Sequence, residues 1–168
     1  SPKSSLRIRS EQGSAAIKLL DSNDIDFAIG RFEIVPSRFG FIELFTENYV
    51  CMMNKSHKFS KEKKLSIEQY LSAKHLRVAP HDAPIAPIDR SLNQLNLERE
   101  IFVRIDLVTM APFILKDSDL ILTLPSKTAQ RMAKIYDFII ADLPIELEKR
   151  KSKLIWHNEL SSHPSFDW

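Results

Sequence analysis

A chain of 168 residues, 43% hydrophobic and 27% charged, can bury about 70% of its unfolded surface and needs no covalent staple to fold. A formal net charge of +2 excludes the strongly basic balance expected of a segment that itself grips nucleic acid. The single cysteine, Cys51, excludes an intrachain disulfide and a cysteine metal cluster, and no apolar run reaches the roughly 18 residues of a membrane span.

Strands are expected where four to eight apolar residues cluster between turn signals. Such clusters are Leu6–Arg9, Ile25–Ile29, Tyr49–Met53, Leu76–Ala79, Ile101–Val108, Leu120–Leu124 and Leu154–Trp156. In the longest, Val103, Ile105 and Leu107 alternate with Arg104 and Asp106, the period of a strand with one wet face. Helices fill the gaps. Ala16, Leu19 and Leu20 share a face over Ser14–Asp21. Ser66 and Gln69 have capping-box spacing ahead of a helix through Leu71. Ile85, Ile88, Leu92 and Leu95 form a stripe around a helix at Pro87–Leu95, and Met110, Phe113 and Ile114 do so for one at Thr109–Lys116. Ser126 is placed to cap a helix through Ile135. Strands alternating with helices imply an α/β fold whose sheet is largely parallel and covered on both faces.

Enzyme signatures are lacking: the sequence has no glycine-rich phosphate loop, no G-x-S-x-G elbow and no H-E-x-x-H. None of the five histidines pairs with another at i+3 or i+4, so no metal site and no cofactor site is read. Four places fall just after expected strands, where α/β proteins put ligand contacts. His81 and Asp82 follow Leu76–Ala79 and are either a ligand-binding couple or a polar loop whose acid caps the next helix. Gly13 and Ser14 open a helix whose first amides favour an anion, or are a plain cap. Gly30 allows a sharp turn after Ile25–Ile29, and Arg31 either pairs with an acid or is a surface side chain. Pro125 closes the strand at Leu120–Leu124. No nucleophile, base and orienting group can be assembled from these residues, so binding is favoured over catalysis. Cys51 reads as a small core residue.

Taken in order, these segments resemble the effector-binding domain of LysR-type transcriptional regulators. The run Leu20-Asp21-Ser22-Asn23-Asp24-Ile25-Asp26-Phe27-Ala28-Ile29-Gly30 is similar to a recurrent stretch of that family, with Asn23 where glycine is common. Leu44-Phe45-Thr46-Glu47-Asn48-Tyr49-Val50-Cys51 leading to His57 resembles the family's crossing into its second lobe, with Lys58 where proline is usual. Ser66–Leu71, Lys74–Val78, Ile88-Asp89, Leu120–Pro125 and Trp156-His157 continue the series across the chain. The flavour is nearest the branch of nodulation and aromatic-catabolism regulators.

The resemblance implies a two-lobed fold of the type 2 periplasmic-binding-protein kind. Lobe one would comprise residues 1–47 and 141–168, and lobe two residues 48–140. The family's first βα unit and its DNA-binding winged helix-turn-helix are both missing from this chain. The resemblance further implies a small, acidic or aromatic effector held between the lobes, contacted by Ser14, His81 and Asp82, with Gly13, Gly30, Arg31, Met110 and Pro125 as weaker placements. Expected partners are that effector, one or three further copies of the chain in a homodimer or homotetramer, and promoter DNA through the absent module. The expected compartment is the cytoplasm, with no membrane contact. A free-standing periplasmic solute-binding protein serving a transporter is the alternative on the same fold.

Overall fold

A computed structural model describes residues 5–11, 13–79 and 85–162. The chain divides into two compact units, residues 1–46 with 151–168 and residues 47–150. Residues 141–150 lie in unit 2.

Unit 2 is built on a five-stranded sheet. Its elements are β3 (Tyr49–Asn54), α2 (Ile67–Leu71), β4 (Lys74–Val78), α3 (Pro87–Gln94), β5 (Glu100–Ile105), α4 (Ala111–Lys116), β6 (Leu120–Pro125), α5 (Ser126–Tyr136) and β7 (Phe138–Asp142). The strand order is β5-β4-β6-β3-β7. β4 runs parallel to both β5 and β6, whereas β3 is antiparallel to β6 and β7. The sheet is thus mixed rather than largely parallel, because β3 enters from the opposite direction.

The continuous apolar runs of β3 and β6 follow from burial on both faces. Val50 and Met52, with Leu120, Leu122 and Leu124, meet Leu115 of α4 and Ala129 of α5 in one core. Cys51, Met53 and Ile121 point the other way, into a second core with Tyr70 of α2 and Ile88 and Leu92 of α3. Full burial of each such Ile or Leu contributes about 1.5–3 kcal/mol. A slip of one residue in β3 would exchange the two cores, so its register is tightly specified.

The helix starts have local causes. Ser66 accepts from the Gln69 amide and the Gln69 side chain accepts from the Ser66 amide, the reciprocal box expected from the spacing. Pro87 at the first position of α3 spares a donor that would have no partner. Ser126 is the first residue of α5 and not its cap, which is Pro125. The capping acceptor comes from outside the helix: the buried Glu47 carboxylate accepts from the Lys127 amide at 2.9 Å. Two expected stripes are only half used. Around α3, Ile88 and Leu92 are buried but the flanking Ile85 and Leu95 are exposed. Around α4, Met110 and Phe113 face outward while Leu115 carries the packing.

Unit 1 comprises α1 (Gly13–Asp21), β1 (Phe27–Gly30), β2 (Phe39–Glu47, whose last residue belongs to unit 2) and β8 (Arg150–His157, whose first residue does). Its sheet has the order β1-β8-β2, with β1 antiparallel to β8. Ala16 and Leu20 of α1 pack on Ala28, Phe32, Phe39 and Ile155. The expected strand at Leu6–Arg9 does not form; its apolar side chains, Leu6 and Ile8, are 85% and 82% exposed. β2 and β7 were not anticipated. At Asn23 the backbone has φ +57°, the left-handed region that glycine favours and asparagine tolerates.

Candidate functional site

The expected ligand contacts that fall among the described residues are spread over both units. In unit 1, α1 packs against β1 through the short turn at residues 22–26. That reversal puts the first turn of α1, with Gly13 and Ser14, at the same end as the last residues of β1. Ser14 is exposed there. Gly30 is the final residue of β1 and its φ is not positive, so the sharp glycine turn expected at that point is absent. What a side chain there would meet instead is the Phe32 ring, 3.3 Å from an added Cβ. Arg31 forms an ion pair with Glu33 at 2.7 Å on the surface.

In unit 2, the parallel strands β4, β5 and β6 end together at Val78, Ile105 and Pro125, and Tyr49 at the start of β3 lies opposite Pro125. The Ala79 amide donates to the Ile105 carbonyl at 2.8 Å, holding the ends of β4 and β5 together. Met110 ends a single 3-10 turn beyond β5, half exposed. Of the expected contacts in this unit, Pro125 lies on that edge and Met110 in the turn beyond it, while His81 and Asp82 lie outside the described residues.

Sequence reasoning missed a buried polar cluster beside this sheet. Arg99, 3% exposed, donates through Nε to Asp89 Oδ1 at 2.5 Å and through Nη1 to the Tyr70 hydroxyl at 2.9 Å. The Tyr70 and Thr123 hydroxyls share a hydrogen bond of 2.7 Å. His75 Nε2 lies 2.8 Å from the Tyr70 carbonyl, so the neutral ring donates there, and its Nδ1 has no hydrogen-bond partner. Burial, reinforced by Arg99, pushes the His75 imidazole down to about 4. Burial also raises the Tyr70 phenol, and it pushes the Cys51 thiol up to about 12, which makes that thiol chemically inert as a core residue should be. No i+3 or i+4 pattern links Tyr70, His75, Asp89, Arg99 and Thr123 in sequence. They meet only because α2, α3, β4 and β6 share one core.

His57 sits at the opposite edge, after β3. Its Nδ1 accepts from the Phe59 amide at 3.1 Å, and burial together with Lys58 lowers its pKa. Among the described residues, no group of three or more His, Cys, Asp or Glu side chains could hold a metal ion. Among the described residues, no helix is long and apolar enough to cross a membrane.

A sequence profile of the LysR substrate binding domain matches residues 1–168. The chain belongs to this family. Among its relatives, the LysR domain is 25% identical over 154 residues to the HTH-type transcriptional regulator SyrM of Rhizobium meliloti strain 1021, covering 91% of this chain and 47% of that protein. The chain spans about half the length of the curated relatives it matches. The regulatory domain of MexT, a transcriptional activator in Pseudomonas aeruginosa, superposes with a TM-score of 0.77 at 17% identity, over 90% of this chain and 74% of that one. The effector binding domain of QuiR in complex with shikimate gives 0.71 at 14% identity, over 88% and 69%. The α/β fold of this LysR domain is therefore that of the regulatory domains, the two-lobed periplasmic-binding-protein kind.

Proposed function

We propose that this LysR domain is the effector-sensing part of a DNA-binding transcriptional regulator. It binds a small metabolite without transforming it, and occupancy alters how an N-terminal helix-turn-helix module acts at a promoter. The match of the whole chain to the LysR substrate binding domain carries this reading. The relatives are transcriptional regulators, so the transporter alternative has no support among them. QuiR, a structural neighbour, holds shikimate in its effector binding domain, which supports a small metabolite as ligand here.

The proposed contacts are Gly13, Ser14, Gly30, Arg31, His81, Asp82, Met110 and Pro125. The first amides of α1 favour a carboxylate. Arg31 can exchange its exposed partner Glu33 for a ligand acid at little cost, since surface ion pairs contribute only about 0–1 kcal/mol. The regulator works in the cytoplasm as a homodimer or homotetramer, and promoter DNA is bound by the module outside this chain. A ligand shifts such an equilibrium only through its differential affinity for two arrangements of the protein.

The test is reciprocal coupling in the full-length regulator. An effector that tightens or loosens promoter binding by roughly 5–150-fold must have its own affinity changed by the same factor when promoter DNA is present. Promoter affinity and bend that stay constant at saturating effector would overturn the proposal.

A further inference from the structure

β3 runs antiparallel to β6, with Tyr49 opposite Pro125 and Met53 opposite Ile121. The chain just after β3 and the chain just before β6 therefore meet at the end of the sheet away from Pro125. Between these two loops lies a hollow of about 400 Å³, within the span of roughly 300–1,000 Å³ usual for small-molecule sites. Every side chain that lines it is polar or charged. Two side chains tie the loops together. His57, 5% exposed, accepts from the Phe59 amide through Nδ1 and bonds the Asp119 backbone through its other nitrogen. Asn54 donates to the carbonyls of Leu115 and Lys116. In the lining, the Ser118 Oγ is buried without a hydrogen-bond partner, an exception to the near-universal pairing of buried polar groups. Lys58, which lies over the Phe59 ring, and Lys116 share the hollow with Asp117 and Asp119. None of these four charged groups forms an ion pair with another described residue.

From this juxtaposition we infer a second ligand site on unit 2, specific for a small zwitterion, an α-amino acid with a polar side chain. Its carboxylate meets Lys58 and Lys116, its ammonium meets Asp117 and Asp119, and the Ser118 hydroxyl donates to its polar body. An anion alone would be drawn by the lysines and repelled by the carboxylates, and a cation alone the reverse. A molecule carrying both charges gains from both sets, and hydrogen bonds to charged groups are the stronger kind. The site lies at the end of the sheet remote from Pro125, and it stands or falls independently of the effector contacts proposed above.

The experiment is an NMR titration of the chain with L-glutamine, read at the amide resonances of Ser56, Lys58 and Ser118. Acetate and methylammonium, each carrying one of its two charges, are parallel probes at equal ionic strength. Glutamine is expected to shift the three amides saturably, and each single-charge probe to bind at least about tenfold more weakly, the effect of losing one hydrogen bond to a charged group. Lys116→Gln and Asp117→Asn, both at exposed positions, are expected to keep the unfolding midpoint and each to weaken glutamine by about the same factor. Amides that ignore glutamine, that respond equally to acetate or methylammonium, or that respond unchanged in both variants would each overturn the site. Perturbation confined to Ser14 and Leu124 would support the effector reading while refuting this one.

Discussion

Arg99 reaches from the segment before β5 to Asp89 on α3 and donates to its Oδ1 at 2.5 Å, with both side chains largely removed from solvent. The pair ties α3 to the sheet at the point where Tyr70 and Thr123 also converge. Removing one partner of a buried pair leaves the other charge uncompensated, a loss of about 3–5 kcal/mol. Arg99→Leu should therefore lower unfolding stability by about that amount in urea titration. Asp89→Asn in the same background should cost much less than it does alone, because the stranded charge is already gone. Additive losses would show that the two groups are not coupled.

His75 sets a pH dependence. Its ring is buried and neutral with a pKa of about 4, against about 6.5 in the unfolded chain. The unfolded state therefore takes up the proton first. The stability linked to this ring is fully present above about pH 6.5 and is lost as pH falls through about 4, up to about 3 kcal/mol in all. Thermal unfolding midpoints should drop across that window, and His75→Gln should flatten the drop. A slope unchanged in the variant would mean that other groups carry the acid sensitivity.

Glu47 supplies α5 with a cap from a residue far away in sequence. Glu47→Ala should cost about 1 kcal/mol, the usual loss for an N-terminal cap, and should raise hydrogen exchange at the Lys127 amide. Glu47→Gln, which keeps the acceptor oxygen, should recover much of it. An unprotected Lys127 amide in the unsubstituted protein would contradict the contact.

At Asn23 the left-handed backbone predicts a graded series. Asn23→Ala should destabilise by about 1 kcal/mol, while Asn23→Gly should be neutral or slightly stabilising. Chemical denaturation of the two variants measures this directly. Equal stability of the alanine and glycine variants would remove the strain argument.

Much of unit 2 was legible in the sequence because its strands are continuous apolar runs and α2 carries a complete capping box. The misses have physical causes. β2 exposes most of its side chains, so Phe41, Ile42, Leu44 and Phe45 show no clean period. β7 follows α5 through only Asp137, whose left-handed backbone ends the helix where no glycine marks the end. Leu6–Arg9 alternates as a strand should, but alternation provides a face and not a pairing partner, and residues 5–11 pair with no strand among the described residues. The polar cluster around Arg99 was invisible because its members come from separate elements. By contrast, resemblance in order and spacing found the family, although the pieces are individually weak.

Under the proposed function this LysR domain binds a small metabolite. Calorimetric titration of the purified chain with a panel of small aromatic and hydroxylated acids tests it directly. At least one member should bind saturably with a Kd on the order of micromolar, about −8 kcal/mol. Arg31→Gln should weaken that ligand while leaving the unfolding midpoint in place. Absence of saturable heat across the whole panel, with the chain folded, would contradict the claim.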